Sequence, residues 1–200
     1  MIKKSQLDIM NLFRKNTFLK KTIREISLLL KKDYPNTYNA IIELEKEGFL
    51  KIEKIGKSKL CSVEINPKTI SLFSFLDEQE SFEANIPNIN KILDFKEFDD
   101  DIILVTGSYA LGKQTKASDI DIVLVVKEKA FEKQKLLENI TSLIIPKVHA
   151  LVFSYKDFVD MLLDKKPNLG KEVFNKRLIF KNTARYYNLI NEAIEHGFRS

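Results

Sequence analysis

The stretch GSYALGKQTKASDIDIVLVV, residues 107–126 of a 200-residue chain, decides how the rest is read. An apolar run, Ile102, Ile103, Leu104 and Val105, leads into Gly107-Ser108. Ten residues separate Ser108 from Asp119-Ile120-Asp121, and a second apolar run follows from Ile122 to Val126. Both runs are short, β-branched and bounded by polar or turn residues, the pattern of buried strands. Side chains at i and i+2 of a strand share a face, so Asp119 and Asp121 are expected to stand side by side. Two adjacent carboxylates repel unless a positive charge lies between them. Hard divalent cations such as Mg²⁺ suit that oxygen pair, with substrate phosphates completing the shell. Gly107-Ser108 is expected to close the first strand where a helix begins, its backbone N–H groups and serine hydroxyl holding a phosphate. A phosphate cradle beside a metal-binding pair describes nucleotidyl transfer.

Composition sets the frame around this stretch. A chain that is 44% hydrophobic and 30% charged has material for real cores and no mark of wholesale disorder. It contains no apolar run long enough to span a bilayer and no signal-peptide core at the N-terminus, so no membrane is expected. Cys61 is the single cysteine, which rules out an intrachain disulfide and fits a reducing cytoplasm. The net charge of +5 is uneven: residues 1–66 hold 14 Lys and Arg against 8 Asp and Glu, while the remainder holds 19 against 20. An excess confined to one third of the chain is the footprint of a nucleic-acid-binding module.

That third has a helical pattern. Leu7, Ile9, Met10, Leu12 and Phe13 mark a short amphipathic helix from Gln6 to Arg14. Thr22, with Glu25 three residues on, predicts a capping box opening a second helix, whose buried face Leu28, Leu29 and Leu30 would continue. Asp33-Tyr34-Pro35 reads as a turn, and Asn36 as the cap of a third helix ending at Gly48. Thr37, Ala40, Ile41 and Leu44 of that helix should face the core, leaving Tyr38, Asn39 and Ile42 outside. Two period-two segments, 49–55 and 59–65, flank a hairpin tip at Gly56-Lys57-Ser58.

Residues 67–97 read as a helical, acidic, solvated connector: from Asp77 to Asp101 there are nine acids and two lysines. Pro87 is expected in the first turn of a helix from Asn88 to Phe95. Beyond Val126 the pattern predicts a helix from Lys127 to Ile140, with Phe131, Leu136, Leu137 and Ile140 inward. A strand at 148–153, a helix 155–163 capped by Ser154, a loop at 168–170 and helices 171–180 and 183–196 complete the reading. The expected class is α+β, with a small mixed sheet flanked by helices on one side in residues 98–200.

Two resemblances carry function. Gly107-Ser108, ten residues, then Asp119-x-Asp121 in Ser118-Asp119-Ile120-Asp121 resembles the signature of the DNA polymerase β-type nucleotidyltransferase superfamily, in the short form of the minimal nucleotidyltransferases. The resemblance implies that Asp119 and Asp121 are the catalytic, metal-binding carboxylates, holding Mg²⁺ or Mn²⁺. Gly107, Ser108, Lys113 and Ser118 would then bind the nucleoside triphosphate, ATP or a relative. Helix–helix–helix–hairpin over residues 1–66 resembles the winged helix-turn-helix domain of prokaryotic transcription regulators. On that likeness the third helix would meet double-stranded DNA through Asn36, Tyr38 and Asn39, and the wing through Lys54, Lys57 and Lys59.

The chain departs from the enzyme pattern at two positions. The strand after Asp121 offers His149 where such enzymes carry a third acid, and Leu111 stands where relatives often have Arg. A lone histidine on a strand reads more readily as a core or surface residue than as a ligand. Without that acid no base for the acceptor hydroxyl is evident. The resulting expectation is transfer of a nucleoside monophosphate, AMP from ATP, to a hydroxyl. The likeness to minimal enzymes of toxin–antitoxin systems suggests a HEPN-type protein partner, and winged helices commonly form homodimers on palindromic sites. The alternative is a transcription regulator whose nucleotidyltransferase half has become a nucleotide sensor.

Overall fold

A computed structural model describes residues 2–199, and the chain divides between Phe73 and Ser74 into two compact units. The N-terminal unit holds α1 (Lys4–Lys15), β1 (Lys21–Thr22), α2 (Ile23–Leu29), α3 (Tyr34–Lys46), β2 (Leu50–Ile55) and β3 (Ser58–Val63). Its sheet has the order β1-β3-β2, all antiparallel, and Ile55 pairs with Ser58 across a two-residue tip. Three helices closed by such a hairpin make a winged helix-turn-helix. Ile9, Met10, Phe13, Ile26, Ile41 and Leu44 are all at most 1% exposed and form its core. The Thr22–Glu25 capping box is present, with Glu25 N donating to Thr22 Oγ1 at 3.3 Å and Thr22 N to Glu25 Oε2 at 2.8 Å. Lys21 beside it, with the Thr22 hydrogen bonds, holds the Glu25 carboxyl at about 2, below its ordinary 4.5. Cys61 is fully buried on β3, and burial pushes its thiol up to about 11.

Two expectations fail in this unit. Leu28 and Leu29 are 70% and 54% exposed because the inward positions of α2 fall at Ile23, Ile26 and Ser27, a spacing that leaves 28 and 29 on the outer face and returns to a half-buried Leu30. Asp33, rather than Asn36, caps α3, its carboxylate accepting from Asn36 N at 3.0 Å. Tyr34 and Pro35 are thus the first turn of the helix, where proline's missing N–H costs nothing.

Helix α4 (Pro67–Glu83) runs across the division. The C-terminal unit continues with α5 (Asn90–Leu93), a 3₁₀ turn (Lys96–Phe98), β4 (Ile102–Thr106), α6 (Gly107–Ala110) and β5 (Ile120–Val126). After these come α7 (Ala130–Thr141), β6 (Val148–Ser154), α8 (Tyr155–Leu163), α9 (Leu169–Asn175), β7 (Leu178–Lys181) and α10 (Thr183–Glu195). The sheet order is β6-β5-β4-β7, with β5 and β6 parallel and the other pairs antiparallel. Helix α7 makes the crossover that a parallel pair requires.

Both faces of this sheet are covered. Ile103, Val105, Ile120, Ile122, Leu124 and Val126 pack with Leu137 of α7 and with Ile86, Ile89 and Ile92. The opposite parity, Leu104, Val123, Val125 and Ile179, is 0% exposed as well, and α8 and α10 pack against the strands. The expectation of helices on one side is therefore corrected, since strands buried on both faces need two layers.

The acidic stretch is not solvated throughout. Asp77 is 2% exposed and accepts from the Tyr187 hydroxyl, while Asp101 is 1% exposed and pairs with Lys133 at 2.5 Å. The predicted helix 88–95 is only the single turn of α5, and Phe131 is 68% exposed instead of inward. Residues 178–181 form a strand where a helix was expected: Asn168 caps α9 early, and the run Leu178-Ile179-Phe180 pairs with β4. At the start of α8, Ser154 caps as expected, with Asp157 closing the box.

Candidate active site

Strand alternation builds the site. Ile120 and Ile122 turn into the core at 0% and 1% exposure, so Asp121 between them turns to the other face. Ile120 N donates to Lys147 O at 2.8 Å, which pins the start of β5 to the lip of β6. Register then lines up one row across three strands, Thr106 of β4, Asp121 of β5 and His149 of β6. Thr106 Oγ1 donates to Lys176 O at 2.6 Å and fixes the end of its strand.

Gly107 follows Thr106 with φ +69°. A Cβ built there would lie 2.1 Å from Asp121 Oδ2, so the carboxylate occupies the space a side chain would take. Only glycine allows both this backbone and this approach. The second oxygen, Asp121 Oδ1, lies 3.2 Å from His149 Nδ1, and the tautomer with its proton on Nδ1 donates that bond. The Asp121 side chain is 32% exposed and His149 62%, an open, wet site. Asp119 is exposed and sits one residue before β5, on the parity that Asp121 continues.

The loop between corner and carboxylates is ordered locally. Tyr109 is buried in the core and anchors the single turn of α6, and Lys113 N donates to Ser108 O at 2.9 Å. Lys113 itself is exposed. Ser118 Oγ accepts from Thr115 N at 2.9 Å, so this hydroxyl is turned into the loop. The geometry thus brings Gly107 and Asp121 into contact, with Ser108 beside them in the chain, and leaves Ser118 holding the loop. His149 and Thr106 were missed as members of the row. The signal for His149 was its place one residue into the strand that follows β5, where parallel pairing sets it beside Asp121.

The donor set fits a divalent ion of one kind. Among the described residues no three His, Cys, Asp or Glu side chains converge to enclose an ion. Asp121, with Asp119 upstream, offers one or two carboxylates, the set suited to an ion that keeps water and phosphate oxygens as its other ligands. The missing Cβ at Gly107 is what lets the Asp121 carboxylate close on the backbone at this corner. Lys176, bonded through its carbonyl to Thr106, lines a cleft of about 710 Å³ with Lys165, Asn168, Lys171 and Glu172.

The candidate DNA face belongs to the N-terminal unit. Asn36 and Asn39 are exposed on α3, and Lys54 and Lys57 are exposed on the wing. Asn36 Nδ2 donates to Asp33 Oδ1 at 3.0 Å within the cap. Tyr38 is half-buried, its hydroxyl accepting from Lys59 Nζ at 2.8 Å, with the same ammonium 4.8 Å from the ring centroid.

The site is thus framed by a mixed antiparallel–parallel sheet, with a glycine corner facing a strand-borne aspartate. Residues 86–182 match the family described as "Nucleotidyltransferase domain". Among solved structures, the transcriptional regulator Tm0710 from Thermotoga maritima is similar at 18% identity and TM-score 0.31, covering 48% of this chain and 72% of its own. TrmBL2, an archaeal chromatin protein, is similar at 13% identity and TM-score 0.24, covering 96% and 97%. No curated protein matches the chain. Among the described residues no helix is long and apolar enough to cross a membrane.

Proposed function

We propose that the chain is a metal-dependent nucleotidyltransferase joined to a DNA-binding winged helix, acting in the cytoplasm. It transfers a nucleoside monophosphate, AMP from ATP, to an acceptor hydroxyl, with a hydroxyl of a HEPN-type partner protein as the favoured acceptor. The observation that carries this reading is the Asp121 carboxylate seated where a Cβ of residue 107 would be.

The residues divide the work. Asp121 and Asp119 would hold Mg²⁺ or Mn²⁺, whose positive charge would offset the negative charge of the triphosphate during transfer. Gly107 lets the Asp121 carboxylate close on the backbone at the corner, and Ser108, next in the chain, supplies N–H and hydroxyl donors to a phosphate. Lys113, exposed on the loop, adds positive charge to the triphosphate. The acceptor hydroxyl loses its proton to solvent and its oxygen bonds to the α-phosphorus as the α–β anhydride breaks and pyrophosphate leaves. On the other unit, Asn36, Tyr38 and Asn39 read base edges while Lys54, Lys57 and Lys59 contact phosphate.

The purified protein, incubated with α-labelled ATP and Mg²⁺, is expected to label a partner and release pyrophosphate. An Asp121→Asn protein that labels as strongly as the parent would end the proposal. A second reading, a nucleotide sensor without turnover, is favoured by His149 standing beside Asp121 in place of a third acid. Pyrophosphate release separates the two, because a sensor binds nucleotide and releases none.

A further inference from the structure

The Asp121 carboxylate has two neighbours, and they differ in kind. Its Oδ2 lies against the Gly107 corner, and its Oδ1 lies 3.2 Å from His149 Nδ1. The second contact is built into the fold. Asp121 and His149 are register partners on parallel strands, and the next pair inward, Ile122 and Ala150, is buried. The two side chains therefore leave the same face of the sheet at the same level. The His149 side chain is 62% exposed, so the imidazole reaches the same open space as the carboxylate. An ion drawn to Asp121 finds a nitrogen donor within its reach once the ring carries its proton on Nε2 and leaves Nδ1 free to bind.

We infer that His149 is a ligand of the ion held by Asp121, which makes this a mixed nitrogen–oxygen site preferring first-row transition ions such as Mn²⁺ to Mg²⁺. Imidazole binds the transition series well, whereas Mg²⁺ keeps to oxygen and holds its water. The inference rests on the reading of Asp121 as a metal ligand, and it replaces an all-oxygen shell by one that selects its ion.

Mn²⁺ alone, without nucleotide, is the probe, and its own electron spin is the readout. The chain contains only two histidines, His149 and His196, so ¹⁵N-histidine labelling reports on few nitrogens. Pulsed electron paramagnetic resonance of Mn²⁺ on the labelled protein is expected to show coupling to a directly bound imidazole nitrogen. The coupling should persist in His196→Gln and vanish in His149→Gln. Competition of Mn²⁺ with Mg²⁺ should lose about tenfold or more of its selectivity in His149→Asp, a scale set by the effect of altering a partner of a metal ligand. Mn²⁺ bound in an Asp121-dependent way without histidine coupling would overturn the role of His149 and leave the carboxylate site standing. Mn²⁺ binding unchanged by Asp121→Asn would overturn both.

Discussion

Replacing Gly107 by alanine separates the stability of the corner from its function. The first cost is in the backbone: at φ +69° a residue with a Cβ is strained by about 1–2 kcal/mol. For a chain of this size that is a fall in Tm of roughly 2–8 °C. The second cost is the clash of the new methyl with Asp121, 2.1 Å from Oδ2, 3.2 Å from Cγ and 3.6 Å from Cβ. The atom struck hardest is the free end of a side chain, so rotation relieves it at a further ~0.5–1.5 kcal/mol. That rotation, small in stability, removes the carboxylate from the corner. Gly112→Ala is the control, because its φ is +63° and nothing lies within 4 Å of its Cβ position. Thermal unfolding and calorimetric titration of Mn²⁺ with a non-hydrolysable nucleoside triphosphate are measured on both. Both variants should melt below the parent, Gly107→Ala by roughly 1–6 °C more than Gly112→Ala because of the added rotation. Gly107→Ala alone should lose at least about tenfold in affinity, or ~1.4 kcal/mol. Equal affinity in the two variants would refute the argument that the position of Asp121 at this corner matters.

Further outcomes follow from single contacts. Lys133→Met leaves the Asp101 carboxylate buried at 1% exposure without its 2.5 Å partner, and should cost about 3–5 kcal/mol at neutral pH in denaturant unfolding. Burial already raises the Asp101 carboxyl above 3.8 and Lys133 opposes it, so in the variant the native state holds the proton more tightly still. The loss should therefore grow as pH rises through the carboxylate range and shrink in acid; a pH-independent loss would contradict this account. Thr22→Ala should cost about 1 kcal/mol by removing the α2 cap. The Glu25 carboxyl is held at about 2, so its contribution is complete above 4.5 and fades as pH falls toward 2; Glu25→Gln should abolish that acid-limb dependence in urea midpoints. If the wing meets phosphate, Lys54→Ala and Lys57→Ala should each lower the slope of log affinity against log salt by about 1 in DNA titrations, and an unchanged slope would take the wing out of the interface.

Much of the fold could be read because the signals were local. Thr22 with Glu25, and Ser154 with Asp157, declare helix starts through hydrogen bonds made within four residues. The alternation around Gly56-Lys57 declares a hairpin for the same reason. Errors arose where tertiary partners decide. Leu28 and Leu29 continue an apolar run in sequence but fall on the face of their helix that turns away from the core. Residues 178–181 have no strand signal of their own beyond three apolar residues, and it is the open edge of β4 that recruits them. Asp77 is acidic in composition and buried in fact, because Tyr187, distant in sequence, offers it a hydroxyl. At the site, spacing singled out the glycine and the aspartates, and the structure brings Gly107 and Asp121 together. The histidine was not, because its meaning depends on which strand pairs with which, and in what direction.

The Lys59–Tyr38 contact bears on how tightly a nucleic acid could be gripped. A free lysine surrenders up to about 2 kcal/mol of rotamer freedom when it is immobilised on a phosphate. Here that freedom is already restricted before any encounter, since the ammonium is tethered to a phenol on the helix beside it. A phosphate that takes over this lysine inherits a pre-arranged cation, but must first compete with the tyrosine oxygen for it. Tyr38→Phe, by removing the competitor and the tether together, exchanges one advantage for the other.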